Sequence, residues 1–483
     1  MKHTCVPMIV MLAMFIPPAA PAQWIIEQNA DLVLGQKDFV GSSYGAGPDS
    51  LYAPTDVAID PLTRKLFVAD IANHRVLRWG RVDSLKTGQP AEAVLGQTDM
   101  ESHTAATAAN RMDFPTAIAF DKAGRLWVAD AINNRVLRFD SAGYKPSGAP
   151  ANGVLGQPNF TSNATGLARD SMNYVRGIAV DEAGHLWVAD QSNNRVLRFD
   201  NAAARPNGAA ADGVLGQLDF ATAGDSDSRS SLNAPRGLVV DSQGRLYVAD
   251  SFDGRVLRFD DAASKPNGAE ADGVLGEAGF DSINGAVSQS GMEEPWGVEV
   301  DGSGRLYVTD DGSNRLTWFD TAYAKPDGAN ADGVIGQPDF VTGTGVAAQN
   351  RLSAPWGVCI DPAKNTMWVA DVSNNRVLRF TANTPLTGVE PAGNPPSGYA
   401  LGQNYPNPFN PGTTITYEVS GAAYVTLRVY NVLGQEVATL VDGLKQPGSY
   451  AVRFNATGLA SGMYMYRLVA GQFVQTRRFV VLK

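Results

Sequence analysis

MNYVRGIAVDEAGHLWVADQSNNRVLRFDNAAARPNGAAADGVLGQLDF, residues 172–220, is one complete copy of a unit that repeats along this 483-residue chain. It holds four short runs of strand-forming residues, RGIAVD, HLWVAD, RVLRFD and GVLGQ. Gly184 ends the first turn, and Asn193 with Asn194 suits a tight hairpin between the second and third runs. Four antiparallel strands with apolar residues on both faces predict a sheet that packs between two similar sheets. This is the blade of a β-propeller.

The spacing of the copies predicts the number of blades. The tripeptides VAD and VTD end on six aspartates, of which the middle four lie 60 residues apart. The glycine of the VLGQ element also occurs six times, but its first copy, Gly35, precedes every VAD and none follows the sixth. We therefore expect the strand near Val33 to supply the outer strand of the last blade. The prediction is an all-β fold, with a six-bladed propeller over residues 23–381 that the N-terminal strand closes.

The N-terminal residues predict export. Residues 1–22 contain Lys2, an apolar stretch over residues 6–16 and the small residues Ala20 and Ala22, a pattern typical of a cleaved signal peptide. No other apolar run approaches the roughly 20 residues that cross a bilayer, so we predict no membrane span. With Cys5 removed, Cys359 stands alone and cannot form an intrachain disulfide.

The net charge is −10, and no concentrated block of lysine and arginine is present. Because binding to a phosphate backbone needs such a block, nucleic acid is excluded as an expected partner.

The repeat gives way to a different composition near residue 382. Residues 382–398, rich in Pro, Gly and Thr, predict a semi-stiff linker. Residues 399–483 contain about six or seven runs of alternating polarity, such as TTITYEV and AYVTLRVY. They predict a small β-sandwich of immunoglobulin type.

Two resemblances are specific. The unit GIAVDEAGHLWVADQSNNRVLRFD resembles the NHL repeat, and the likeness recurs in register over residues 31–381. The segments NYPNPFNP, VYNVLGQEV and GMYMYRL closely resemble the C-terminal sorting domain of the type IX secretion system. This second resemblance implies that the tail is a partner of that secretion machinery. It also implies that the protein is secreted or displayed on the outer-membrane surface of a bacterium.

The most visible charges are the Asp and Arg residues that repeat with the blades. A ring of six carboxylates for a cation is one interpretation. A structural role is the better one, because each Asp ends one strand and its Arg begins the next, so that a hairpin brings them together. If they lie at the surface, each pair contributes only about 0 to 1 kcal/mol. The predicted pairs are Asp70 and Arg75, Asp130 and Arg135, Asp190 and Arg195, Asp250 and Arg255, Asp310 and Arg315, and Asp371 and Arg376.

Function is expected where the copies differ. One variable position begins each innermost strand, and its residues are Thr55, Thr116, Arg176, Arg236, Trp296 and Trp356. The two arginines and two tryptophans predict an arc at the mouth of the central channel, where carboxylates, phosphates or sugar rings would bind. The alternative is that these long side chains only plug the channel.

One carboxylate also interrupts the repeat deeper along the innermost strands. Glu299 takes the place of an Ala or Val, and Cys359 takes that place in the next blade. Glu299 is a weak candidate for catalysis. His74, His103 and His185 fall on different turns and connections, so we predict no shared metal site and no cofactor.

The sequence therefore favours a binding or scaffolding protein whose ligand is a glycan, a peptide or another extracellular protein. The alternatives are a lyase or hydrolase with its active site in the channel, and a purely structural surface protein.

Overall fold

The computed structural model describes residues 24–283, 285–382, 398–404, 407–409, 412–421, 423–445, 448–456 and 459–482. The chain divides into two compact units, Met1–Asn383 and Thr384–Lys483. The predicted signal peptide, residues 1–22, lies outside the described residues. So does the predicted linker, residues 382–398, except for its two end residues.

Six four-stranded antiparallel sheets form the first unit, and they confirm the predicted all-β propeller. The innermost strands are Pro54–Ile59, Pro115–Phe120, Val175–Val180, Pro235–Val240, Pro295–Val300 and Pro355–Asp361. The second strands are Lys65–Asp70, Leu126–Asp130, Leu186–Asp190, Leu246–Asp250, Leu306–Asp310 and Thr366–Asp371. The third strands are Arg75–Arg81, Arg135–Phe139, Arg195–Phe199, Arg255–Phe259, Arg315–Phe319 and Arg376–Thr381. The outer strands are Ala93–Leu95, Gly153–Leu155, Gly213–Leu215, Gly273–Leu275, Gly333–Ile335 and Leu32–Leu34.

The sheets are arranged as a closed ring around a central channel. Each innermost strand contacts the innermost strands of both neighbouring blades, and Pro54–Ile59 of the first blade contacts Pro355–Asp361 of the sixth. In five sheets the strands follow chain order from the channel outward. In the sixth, the N-terminal strand Leu32–Leu34 pairs antiparallel with Arg376–Thr381, and Val33 lies opposite Leu378.

The core of the ring lies between the blades, which explains why the strands are apolar on both faces. In the third blade, Leu186 and Val188 pack against the second blade. Trp187 and Ala189 alternate with them and pack against the fourth blade. Side chains of a strand point alternately to opposite faces, so a single LWVAD run supplies two cores.

Short 3-10 helices connect several of the strands. They are Ile71–Asn73, Val82–Ser84, Ala142–Tyr144, Gln191–Asn193, Ala202–Ala204, Ser251–Asp253, Ala262–Ser264, Ala322–Ala324 and Val372–Asn374. The hairpin turn after Gln191–Asn193 ends on Asn194 in a left-handed conformation, with a φ of 51°. Its side-chain oxygen accepts the backbone N–H of Ala234 in the next blade at 2.9 Å, so the turn residue also joins two blades.

The second unit is a small two-sheet β domain. One sheet has the order Ala400–Leu401, Gly412–Val419, Gly448–Asn455, and the other Glu436–Lys445, Ala423–Tyr430, Gly462–Ala470, Phe473–Val481. Ile415, Leu427, Tyr466 and Phe479 are buried in one hydrophobic cluster that draws on both sheets. Within the described parts of both units, no helix is long and apolar enough to cross a bilayer.

Candidate functional site

The innermost strands approach one another so closely that most of them need glycine at one position. A Cβ atom on Gly177 would lie 1.8 Å from the backbone oxygen of Arg236, and one on Gly297 would lie 2.1 Å from that of Trp356. The variable residue stands immediately before this contact in each blade. Six variable side chains are therefore held around one narrow ring of backbone.

The four predicted ligand-binding residues form a single stacked group. The ring centres of Trp296 and Trp356 lie 3.5 Å apart with the planes 9° from parallel. The guanidinium carbon of Arg236 lies 3.8 Å from the ring centre of Trp296. That of Arg176 lies 4.8 Å from Trp296 and 5.4 Å from Trp356. We call Arg176, Arg236, Trp296 and Trp356 the mouth cluster.

The mouth cluster spans the channel instead of lining it as an open arc. Arg176 is on the third blade and Trp356 on the sixth, so their contact crosses the ring. Trp356 and Arg236 are too close to the Trp296 ring to share one face, and they must cover opposite faces. Neither face of Trp296 is then open to a sugar ring. The predicted plug and the predicted arginine site are thus the same group of atoms.

The two threonines at the variable position donate hydrogen bonds to backbone carbonyls. Thr55 Oγ1 donates to the carbonyl of Pro115 at 3.3 Å, and Thr116 Oγ1 donates to that of Val175 at 3.0 Å. Both bonds join one blade to the next. Two of the six positions at the mouth are therefore closed by short polar contacts, and the other four by the mouth cluster.

The two arginines of the mouth cluster differ in their charge partners. Arg236 is 6% exposed and pairs with Glu294 at 3.2 Å. Arg176 Nε donates to the uncharged amide oxygen of Gln191 at 2.8 Å, and among the described residues it has no carboxylate partner. Burial lowers the pKa of Arg176 to about 10, because desolvation disfavours its charged form. Arg176 Nη1 and Arg236 Nε are also buried without a hydrogen-bond acceptor in the described structure.

Asp311 lies beside the mouth cluster and is not evident from the sequence pattern. Burial raises the pKa of its carboxyl to about 6, although the charge of Arg236 opposes that shift. Its backbone N–H donates to the carbonyl of Glu294 at 3.1 Å. Asp311 follows the repeated Asp310, at a place where the other blades carry Ile, Ala, Gln, Ser and Val. This acidic residue at an otherwise uncharged position is the sequence feature that could have identified Asp311.

A cavity of about 540 Å³ occupies the channel. The innermost strands of all six blades line it, with Arg176 and Trp296 from the mouth cluster. Glu299 and Cys359 line the same cavity, as does Asp56. Arg64 and Asp361 line it too and pair with each other at 2.6 Å, so the cavity holds two guanidinium and three carboxyl groups.

Glu299 and Asp56 are the two acids of the channel without an ion-pair partner among the described residues. Burial, followed by the nearby charges of Asp56 and Asp301, raises the pKa of Glu299 to about 8. Burial also raises the pKa of Asp56 to about 7, although its oxygens accept the backbone N–H groups of Val57 and Ile118 at 2.8 Å. Asp56 was not predicted from the sequence as a site residue. The feature that could have identified it is an Asp at the position that is Gly in four other blades.

The six Asp and Arg pairs lie away from the channel and are completely buried. In every blade the Arg Nε lies 2.6–3.0 Å from the Asp carboxylate, and both side chains are 0% exposed. In the third blade, Arg195 also donates to the carbonyls of Leu167, Ala168, Ser171 and Phe220. The surface value of 0 to 1 kcal/mol does not apply to these pairs. Each Arg fastens the loops between blades to its own blade.

The three histidines within the described residues lie in separate places. His74 Nδ1 lies 3.2 Å from Asp113, His185 Nδ1 lies 2.7 Å from Asp181, and His103 contacts the carbonyl of Glu101. Throughout the described residues, no group of three or more His, Cys, Asp or Glu side chains is arranged to hold a metal ion.

Comparison with known families agrees with this architecture. Residues 172–199, 232–259 and 352–380 match the NHL repeat, so the propeller contains NHL repeats. Residues 403–482 match the secretion system C-terminal sorting domain. The protein is thus one whose tail engages the type IX secretion machinery, which exports it to the secreted or cell-surface compartment.

Individual relatives are distant. The chain is 24% identical over 368 residues to NHL repeat-containing protein 2 from Homo sapiens. The aligned region covers 71% of this chain and 48% of the relative. The chain thus spans about half the length of that curated relative.

Solved structures with a similar course of the chain are distant as well. One is a protein of unknown function from Bacteroides thetaiotaomicron, at 14% identity and a TM-score of 0.48, with 74% of this chain and 76% of that chain covered. Another is a gluconolactonase from Xanthomonas campestris, at 17% identity and a TM-score of 0.43, with 76% and 99% covered.

Proposed function

We propose that this protein is an exported binding module whose ligand presents an anionic group to Arg176 at the channel mouth. The observation that carries the proposal is that Arg176 is a partly buried cation whose guanidinium has no carboxylate in ion-pair contact among the described residues. Asp311 is a nearby negative charge but makes no ion pair with Arg176, so an anion that bonds directly to the guanidinium recovers part of its desolvation cost.

The mouth cluster supports the same conclusion. Arg176 Nη1 and Arg236 Nε are buried donors without acceptors in the described structure, and unsatisfied buried donors cost about 1–3 kcal/mol each. Stacking on Trp296 and Trp356 holds the guanidinium groups in fixed planes. A fixed guanidinium loses little further entropy when it binds a carboxylate through two hydrogen bonds.

The test is a binding screen with the full exported chain. Calorimetry against acidic sugars, neutral sugars and short peptides should find binding only for probes that carry a carboxylate or another anion. Arg176→Gln should weaken that binding about tenfold or more, because a charged hydrogen bond is lost.

The matched control is Arg198→Gln. Arg198 also lies over a tryptophan, 5.9 Å from the ring centre of Trp187, but outside the mouth cluster. Its replacement should leave binding unchanged. If a folded Arg176→Gln variant binds every anionic probe as tightly as the parent protein, the proposed site is wrong. Turnover of any probe would instead favour the enzymatic alternative.

A further inference from the structure

We propose that the ligand is zwitterionic, with its anionic group on Arg176 and a cationic amino group on Glu299 inside the channel. This inference rests on the proposed function and adds the second end of the ligand. The chemistry that fits best is an extended peptide of about three residues with free amino and carboxyl termini.

The first reason is that a guanidinium and an acid that can lose its proton line one cavity at different depths. Arg176 and Glu299 both line the channel cavity of about 540 Å³. A cavity of that size is in the range that encloses a small ligand. Most other side chains along the innermost strands here are small or apolar, such as Ala58, Ala119 and Val239. Arg64 and Asp361 also line this cavity, but they pair with each other at 2.6 Å, so they offer less to a ligand than Arg176 and Glu299 do.

The second reason is that Glu299 lacks a partner of its own. In the part of the chain that the structure describes, its carboxyl makes no hydrogen bond and no ion pair. Asp56, by contrast, accepts two backbone hydrogen bonds at 2.8 Å each. An ammonium group has three donors and would satisfy Glu299 directly, with the charge of Asp56 nearby as added attraction.

The third reason is the separation of the two ends. Arg176 aligns with Trp296 in the repeat, so Glu299 lies three residues deeper along the innermost strand. At about 3.3 Å per residue of strand, the backbone positions of the two residues are offset by roughly 10 Å along the strand direction. An extended chain of about three residues spans the same length. Shorter zwitterions would leave one end unbound.

The experiment uses the full exported chain and glycine peptides of increasing length as probes. Triglycine should bind more tightly than diglycine by about tenfold, because only the longer peptide reaches both charges. N-acetylated triglycine keeps the carboxylate and should lose the contribution of Glu299. C-amidated triglycine keeps the ammonium and should lose the contribution of Arg176.

Variants assign each end. Glu299→Gln should weaken free triglycine about tenfold and leave N-acetylated triglycine unchanged. Arg176→Gln should weaken both of these probes. Glu182→Gln, which replaces an exposed acid outside the channel, is the control and should change neither. This pattern distinguishes ammonium recognition from a general loss of stability.

Proton release is an independent measurement. At neutral pH Glu299 holds a proton, because burial and the charges of Asp56 and Asp301 raise its pKa to about 8. Cys359 on the adjacent innermost strand is kept in its neutral thiol form by a raised pKa. Pairing with an ammonium group displaces the proton from Glu299. The affinity for triglycine should therefore rise with pH up to about 8, with proton uptake by the buffer visible in calorimetry.

The outcomes separate this inference from the proposed function. If N-acetylated and free triglycine bind equally, the amino end is not recognised and this inference is wrong, while the anion site stands. If no peptide binds but another anion binds in an Arg176-dependent way, this inference is again wrong and the proposed anion site again stands. If nothing depends on Arg176, the proposed function fails as well.

Discussion

The indole N–H of Trp24 donates a buried hydrogen bond of 2.8 Å to the hydroxyl of Tyr307, across 283 residues of sequence. The two rings also meet edge to face, with centres 6.3 Å apart. Tyr307 in turn donates to Asp301 at 3.0 Å. The N-terminal segment thus anchors to the fifth blade in addition to pairing with the sixth.

Replacement of Trp24 by Ala should lower the free energy of unfolding by about 3 kcal/mol, since a buried aromatic side chain and its hydrogen bond are lost. Tyr307→Phe keeps the packing and should cost about 1 kcal/mol. Thermal unfolding of the purified protein measures both. Ile25→Ala is the control, because Ile25 is 52% exposed and its loss should be nearly neutral. Equal melting temperatures for Trp24→Ala and the parent would show that the anchor is dispensable.

Asp190→Asn should destabilise the protein by about 3 kcal/mol, because it leaves Arg195 charged and completely buried. Denaturant unfolding measures the change. The control is Glu270→Gln, which removes an ion pair of 3.8 Å whose Glu is 70% exposed, and it should cost less than about 0.5 kcal/mol. A loss for Asp190→Asn as small as that of the control would contradict a structural role for the buried pairs.

Two glycines should respond differently to alanine. Gly177→Ala places a Cβ atom 1.8 Å from the backbone oxygen of Arg236, so two blades must separate and the cost should be about 3 kcal/mol. Gly184→Ala meets nothing within 4 Å and pays only for its φ of +87°, about 1 kcal/mol. Thermal unfolding of the two variants side by side tests the close approach of the innermost strands. The prediction fails if Gly184→Ala is the more damaging change.

The stability of the protein should depend on the protonation of Glu299. Its pKa is about 8 in the folded protein, against the ordinary value of 4.5 that we take for the unfolded chain. A raised folded pKa means that the unfolded state loses its proton first, so the stabilisation is present below about pH 4.5 and is lost as the pH rises toward 8. Glu299→Gln should remove this dependence and be more stable than the parent at pH 8.

Melting temperatures of the parent and Glu299→Gln, measured from pH 5 to about pH 8, give this contribution as a difference between two curves. Taking the difference between the two curves is necessary because Asp56, with a pKa raised to about 7, titrates in the same range in both proteins and its effect cancels. Parallel curves would mean that Glu299 is solvated in the folded state.

The sequence predicted the strands well because each carries its own pattern. The alternation in LWVAD and the turn residues Asn193 and Asn194 specify a hairpin locally. It also predicted which residues differ between blades at the mouth. It could not predict that Arg176 meets Trp356, because that contact joins opposite sides of the ring and depends on the channel diameter. The burial of the Asp and Arg pairs was missed for a similar reason, since the covering loops come from neighbouring copies.

The strand Leu32–Leu34 has one further consequence, for solubility. Every other outer strand is covalently tied to its sheet by the preceding connection, whereas this one reaches Arg376–Thr381 from the far end of the propeller sequence. Until it docks, Arg376–Thr381 is an open edge with unpaired backbone N–H and C=O groups. Such an edge is a template for pairing with another chain. By pairing with this edge, Leu32, Val33 and Leu34 therefore prevent strand pairing between two propellers.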